Sequence, residues 1–194
     1  RDYVSYCAAG SCDGPLDLKE VFKILRRQLP DDGILTVGAG AYALWPQRYF
    51  YHRRLGTQIG PKSGAMGYGL PAAIAAALYA RGKTVVAVAG DGCLLMQAEE
   101  LATAVNYKIP IIVLVINNNY YGAIQAGQRR LFGRETGTAL TSPNFVQYAA
   151  AFGAHAERVT STDEFETAWE RALQAEGPAL IELVVGLEAL KPRD

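Results

Sequence analysis

The chain has 194 residues, half of them hydrophobic, which is enough to bury one sizeable core and argues for a single domain. Lysine plus arginine equal aspartate plus glutamate at 19 each, so no net field exists to gather nucleic acid or an anionic membrane surface. The longest apolar run, Ile109 to Ile116, contains Pro110 and is too short to span a bilayer, and no charged-then-apolar leader opens the chain, so a soluble, cytoplasmic protein is expected.

Residues 1–15, with Ala8-Ala9-Gly10-Ser11 and Asp13-Gly14-Pro15, read as a linker arriving from an upstream domain, which leaves residues 16–194 as the folded unit. A chain opening at Arg1 fits a piece of something longer. Cys7, Cys12 and Cys93 have no zinc-like spacing to His52 or His155, and a core of this size needs no staples, so reduced thiols are expected. Leu18, Val21, Phe22, Leu25 and Leu29 fall at helical spacing, and Pro30-Asp31-Asp32-Gly33 ends that helix before a strand at Ile34–Val37. Small residues dominate from Gly64 to Ala80, which predicts a helix packed closely on another backbone and, in an oligomer, on a partner subunit. A strand at Thr84–Ala89, a helix near Ala98–Tyr107, a strand at Ile111–Ile116 and a helix after Tyr121 follow. The tail repeats the alternation: a helix at Phe145–Phe152, a Ser161/Glu164 capping box opening a helix, and a strand at Ala179–Val185. Continuous apolar strands between amphipathic helices imply a doubly wound α/β domain, a mostly parallel sheet with helices on both faces.

In such a sheet ligands sit beyond the carboxyl ends of the strands. Two strands run directly into polar clusters there, Gly90-Asp91-Gly92 and Asn117-Asn118-Asn119. Taken singly each is an ordinary turn former. Together, a carboxylate and a carboxamide at strand ends can converge on one hard cation, and the glycines beside Asp91 let backbone N–H groups approach a phosphate at the start of the next helix.

This pair, in this order, resembles the GDG…NN signature of thiamine-diphosphate enzymes. The likeness extends from about Leu16 to Glu188 and is greatest to the C-terminal domain of acetolactate synthase-like enzymes and their decarboxylase relatives; Ser63 to Ala73 is similar to the family's second recognisable stretch. The resemblance implies a magnesium ion held by Asp91, Asn118 and the Tyr120 carbonyl, with two diphosphate oxygens and a water completing six ligands. It places Gly90, Gly92, Cys93 and Gly122 at the diphosphate, and Gly40, Ala41 and Tyr42 across the site. Cys93 stands where relatives often carry serine and reads otherwise as a small buried residue. Met66 matches the apolar prop that bends the cofactor, and the Gly64 carbonyl would hold its 4′-amino group, so that an intramolecular base activates C2. On the same resemblance, the bent cofactor would supply the nucleophile for a 2-keto acid and the sink for the electrons left by decarboxylation.

The resemblance also implies what this chain lacks: the glutamate that pairs with the cofactor's pyrimidine belongs to an N-terminal domain, usually of a partner subunit in a homodimer or homotetramer. The isolated chain is therefore expected to be inactive, and FAD, if the parent binds it, belongs to a middle domain. Biosynthetic acetolactate synthases carry methionine after the glycine matching Gly122 and tryptophan shortly beyond; here Ala123 and Gly127 stand there. Two other readings are weaker. Gly38-Ala39-Gly40-Ala41-Tyr42-Ala43 spells a dinucleotide-binding string, but no acidic residue stands near Gln58 to hold a ribose. A non-catalytic assembly module would have no need of Asp91, Asn118 and Met66 together. His52 and His155 read as satisfied or surface residues, Arg129 and Arg130 as a solvated face or a contact for a substrate carboxylate, and Trp45 and Tyr68 as packing.

Overall fold

The computed structural model describes residues 14–192. Cys7, Cys12 and nearly all of the expected linker lie outside them. Six strands, β1 (Ile34–Val37), β2 (Gln58–Ile59), β3 (Val85–Gly90), β4 (Ile111–Asn117), β5 (His155–Val159) and β6 (Ala179–Val184), form one sheet in the order β2-β1-β3-β4-β6-β5, with every pair parallel. The expected doubly wound α/β class is thus the observed one. The central strands β3 and β4 are buried on both faces, which is why they read as unbroken apolar runs.

Helices α1 (Leu18–Gln28), α2 (Leu44–Tyr49) and α8 (Thr162–Leu173) cover one face, where Phe22, Leu25, Trp45, Phe165 and Trp169 pack against Leu114, Ile116 and Ile181. Helices α3 (Gly69–Tyr79), α5 (Glu100–Asn106) and α7 (Phe145–Phe152) cover the other, where Leu70, Ala73, Leu101 and Phe145 meet Val113, Val115 and Leu180. Two further helices, α4 (Asp91–Leu94) and α6 (Gly122–Phe132), begin at or just beyond the carboxyl ends of β3 and β4. Fully burying a side chain of this size contributes roughly 1.5–3 kcal/mol, so these two layers supply most of the drive to fold.

Local signals set the boundaries. Asp17 caps α1 by accepting from the Lys19 N–H at 2.8 Å, and the capping box of Ser161 and Glu164 is present at the start of α8. The expected helix over 64–80 begins only at Gly69. Gly64 and Gly67 have φ of +70° and +84°, left-handed values that break a helix, so residues 64–65 are irregular and residues 66–68 form a turn. Where α3 does start, its closeness to another backbone is real: a Cβ on Gly69 would lie 3.1 Å from the Gly38 nitrogen and 3.3 Å from the Val37 carbonyl carbon. The Thr36 hydroxyl donates to the Gly69 carbonyl at 2.7 Å across the same junction. Tyr68, expected to pack, is 38% exposed at this corner, whereas Trp45 is fully buried and donates from Nε1 to the Ala189 carbonyl at 2.8 Å.

Candidate functional site

Strand order reverses direction at β1: the chain moves outward to β2 and then returns to β3 on the other side. The carboxyl ends of β1 and β3 therefore diverge into a crevice, the place where open α/β sheets bind ligands. A cavity of about 260 Å³ lies there. Gly40, Ala41 and Tyr42 reach it from the loop after β1, Gly64 and Met66 from the turns before α3, and Gly90, Asp91, Gly92 and Cys93 from the end of β3 and α4. Asn118, Tyr120 and Gly122 reach it from beyond β4, so the twelve residues that the resemblance assigns to the cofactor and its metal line one cavity.

Glycines make the cradle possible. A Cβ on Gly90 would lie 2.7 Å from the Tyr42 ring, and one on Gly92 would lie 2.5 Å from the ring of Tyr121. Both contacts are too short for a side chain, so the two rings close against bare backbone on either side of Asp91. Cys93 is buried, and its sulfur accepts from the Tyr42 hydroxyl at 3.1 Å and from the Gly67 N–H at 3.2 Å. This thiol ties together the loop after β1, the turn before α3 and the GDG loop. Burial, more than the neighbouring thiol, pushes the Tyr42 hydroxyl well above its ordinary range, so that it stays a donor. The helix expected after the GDG motif is a single turn, α4, too short to bring a long helix dipole to the cavity.

Asp91 is 3% exposed. Burial holds its carboxyl above the usual carboxylate range, offset in part by the backbone N–H groups of Gly92, Asn119 and Tyr120 and by the Ser142 hydroxyl. The Gly92 N–H donates to Oδ1 at 2.8 Å and the Ser142 hydroxyl to Oδ2 at 3.4 Å. Beyond β4 the chain turns sharply: Asn119 has a φ of 58°, the Asn117 side chain accepts from the Asn119 N–H at 3.0 Å, and the Asn118 side chain accepts from the Tyr120 N–H at 3.1 Å. The segment Thr138–Leu140 clamps that turn, with Leu140 N–H donating to the Asn119 carbonyl at 2.8 Å and Tyr121 N–H to the Thr138 carbonyl at 2.9 Å.

The charge balance restricts what fits. Among the described residues that line the cavity, Asp91 alone carries a charged side chain, and it forms no ion pair among the described residues. An anionic ligand would meet a carboxylate with no basic residue to offset it, unless a cation comes with it. Nor does any group of three or more His, Cys, Asp or Glu among the described residues make a self-sufficient metal site. Asp91, Asn118 and the Tyr120 carbonyl are oxygen donors suited to magnesium, and they need ligand oxygens to complete an octahedron. The residues present therefore fit a magnesium ion that is shared with a phosphate-bearing ligand.

Some lining residues gave no sequence signal, among them Ala39, Ile116, Tyr121, Ile124 and Ala189, and Ser142 behind Asp91 stands in a loop with nothing in its spacing to mark it. Several flagged residues lie elsewhere. His52 shares a hydrogen bond with the Thr57 hydroxyl at 3.0 Å, and burial followed by nearby Arg26 lowers its pKa. His155 sits beside Glu157 at 2.9 Å. Arg129 pairs with Glu135, and both Arg129 and Arg130 are exposed outside the cavity lining. No helix among the described residues is long and apolar enough to cross a membrane.

Comparison with known proteins gives the family. The family model "Thiamine pyrophosphate enzyme, C-terminal TPP binding domain" matches residues 38–183. An acetolactate synthase of Bacillus subtilis is 35% identical over 86% of this chain and 29% of its own length. The acetolactate synthase isozyme 2 large subunit of Escherichia coli is 32% identical over 88% of this chain and 31% of its own. A solved structure from Mycobacterium smegmatis, of an enzyme proposed to depend on thiamin diphosphate, superposes with a TM-score of 0.77 at 29% identity, over 89% of this chain and 32% of that one. The chain thus spans about a third or less of the relatives it matches. With a parallel sheet opening at its switch point onto the GDG and NN motifs, and a model match over most of its length, the chain belongs to the C-terminal, thiamine-pyrophosphate-binding domain family of thiamine pyrophosphate enzymes.

Proposed function

We propose that this chain is the cofactor-holding part of an acetolactate synthase-like enzyme that decarboxylates or ligates small 2-keto acids, and that it holds thiamine diphosphate through a magnesium ion. The observation that carries the reading is the lone buried carboxylate of Asp91 in a glycine-lined cavity with no basic side chain. Asp91, Asn118 and the Tyr120 carbonyl would supply the protein ligands to magnesium, leaving the remaining positions to diphosphate oxygens and water.

Backbone groups of Gly90, Gly92, Cys93 and Gly122 would contact the diphosphate. The Cys93 sulfur already accepts two hydrogen bonds, which supports a backbone contact there rather than a side-chain one. Met66, 39% exposed, lies along the cavity wall with an apolar chain suited to propping the cofactor in a bent shape. The Gly64 carbonyl would accept from the 4′-amino group, while Gly40, Ala41 and Tyr42 close the opposite side. When bound, thiamine diphosphate supplies the carbon nucleophile and the electron sink that keto acid chemistry needs. The chain's own residues hold the metal, fix the bend and exclude water. The rest of the active site would come from a pyrimidine-binding domain of a partner subunit in a homodimer or homotetramer, with FAD, where present, in another domain.

Calorimetric titration of the 194-residue chain with thiamine diphosphate tests this. Binding should require magnesium and should weaken about a hundredfold or more in Asp91→Ala, which removes the one charged ligand from an ion that takes few substitutes. Undiminished binding in that variant would refute the assignment.

A further inference from the structure

Glu182 sits in β6 among Leu180, Ile181 and Leu183 and is 1% exposed. A carboxylate at such a position is costly unless each oxygen is matched, and a leucine would serve packing better. Both oxygens are matched. Oε1 accepts from the Asn117 side-chain amide at 2.7 Å, and Oε2 accepts from Arg158 Nε at 2.8 Å. Asn117 closes β4 and is 5% exposed; it lies on the same face as Glu182, two residues beyond Val115, which is in register with Glu182.

The bond from Asn117 fixes which way its amide points. With Nδ2 committed to Glu182, Oδ1 faces forward and accepts the Asn119 N–H at 3.0 Å. With the clamp from Thr138–Leu140, that bond helps hold Asn119 at a φ of 58°, the left-handed step between Asn118 and Tyr120, both of which line the cavity. With no acceptor at Glu182 the amide could flip and set its NH2 against the Asn119 N–H, which opens the turn.

We infer that Glu182 is a positioning residue for the metal-facing turn, acting through Asn117, with Arg158 holding it in place; the inference rests on the magnesium reading above. None of the three lines the cavity. They orient the ligands rather than touch the ion, as outer partners of metal sites do.

The test is a double-variant cycle in the 194-residue chain, read in two ways: the magnesium concentration that half-saturates thiamine diphosphate binding, and amide hydrogen exchange at Asn119. Asn117→Asp, measured at a pH high enough to ionise both groups, sets two carboxylates side by side with no proton between them to stand in for the lost amide donor. It should raise the magnesium requirement about ten- to a hundredfold and speed exchange at Asn119. Adding Glu182→Gln turns the pair around, with an amide donor facing the new carboxylate, and should bring both readouts back to within about threefold of the parent chain. No change in Asn117→Asp, or a double variant no better than the single one, would overturn the inference. So would exchange that quickens equally at Ile181, the mark of general loosening. If the parent chain binds no thiamine diphosphate at any magnesium concentration, the magnesium reading falls, and exchange at Asn119 alone decides whether Glu182 sets the turn.

Discussion

Burial of the Asp91 carboxyl with no cation beside it means that its charged form costs the ligand-free chain stability, and the direction of its pKa fixes how that cost varies with pH. A carboxyl raised on folding binds its proton more tightly in the folded chain than in the unfolded one. Its contribution is complete below the unfolded pKa and is lost as pH rises through the folded one. The chain should therefore gain stability from Asp91 as pH falls from neutral toward the ordinary carboxylate range. Asp91→Asn should remove that part of the slope and raise stability at neutral pH by about 0.5–2 kcal/mol, the usual trade between a strained functional group and the fold. Thermal unfolding of both chains between about pH 7 and pH 5 measures the difference; identical slopes would show that the burial cost is offset elsewhere. Asp91 and Asn118 were legible because short motifs at strand ends announce themselves. Ser142 was not, since nothing ties its loop to Asp91 except the folded geometry, and Glu182 was hidden inside what reads as an ordinary apolar strand.

Secondary structure was legible where one period ran long enough. The four inner strands and the long amphipathic helices follow their apolar patterns within a residue or two, while both edge strands were missed. β2 is two residues long and largely exposed, and β5, His-Ala-Glu-Arg-Val, is polar because an edge strand leaves one side uncovered. The small residues from Gly64 to Tyr68 suit a helix, yet small residues also permit left-handed backbone, and Gly64 and Gly67 take that option. The capping box was the clearest boundary in the sequence. Its Glu164 accepts from the N–H groups of Thr160 and Ser161, and those bonds, the Thr160 one first, hold its carboxyl below the usual range. The next residue, Thr162, bonds the start of the described chain: its hydroxyl accepts from the Asp17 N–H at 2.8 Å and its N–H donates to the Pro15 carbonyl at 3.1 Å. Ser161→Ala should therefore cost about 0.5–2 kcal/mol in urea unfolding. It should also quicken exchange at Asp17 as the first turn of α8 frays; a loss confined to α8 would mean that the anchorage of α1 is independent of the cap.

At the scale of the whole molecule, the chain matches about a third of each relative, so on the proposed reading its cavity is one wall of a cleft and substrate choice depends in part on what lines that wall. Ala123 lines the cavity at the start of α6, and a Cβ added at Gly127, one turn further on, would meet nothing within 4 Å. The resemblance to biosynthetic acetolactate synthases implies that these enzymes typically place methionine and tryptophan at the matching positions. Ala123 and Gly127 carry no such bulk here, so on the proposed reading a preference between small keto acids that rests on about 1–3 kcal/mol of packing loses two of the side chains that would carry it. The parent enzyme should therefore act on another or a bulkier 2-keto acid in preference to forming acetolactate, and the 194-residue chain alone should turn over none. Because the space at Gly127 is free and glycine is a poor helix former, Ala123→Met with Gly127→Trp should fold without loss, within about 1 kcal/mol of the parent. In the full-length enzyme, assayed with pyruvate, 2-ketobutyrate, glyoxylate, benzoylformate and oxalyl thioesters, the double variant should shift turnover toward acetolactate and acetohydroxybutyrate. If the unaltered enzyme already converts pyruvate to acetolactate faster than it uses every alternative, with a normal preference for 2-ketobutyrate as acceptor, then Ala123 and Gly127 do not set specificity and the closing surface must come from another domain.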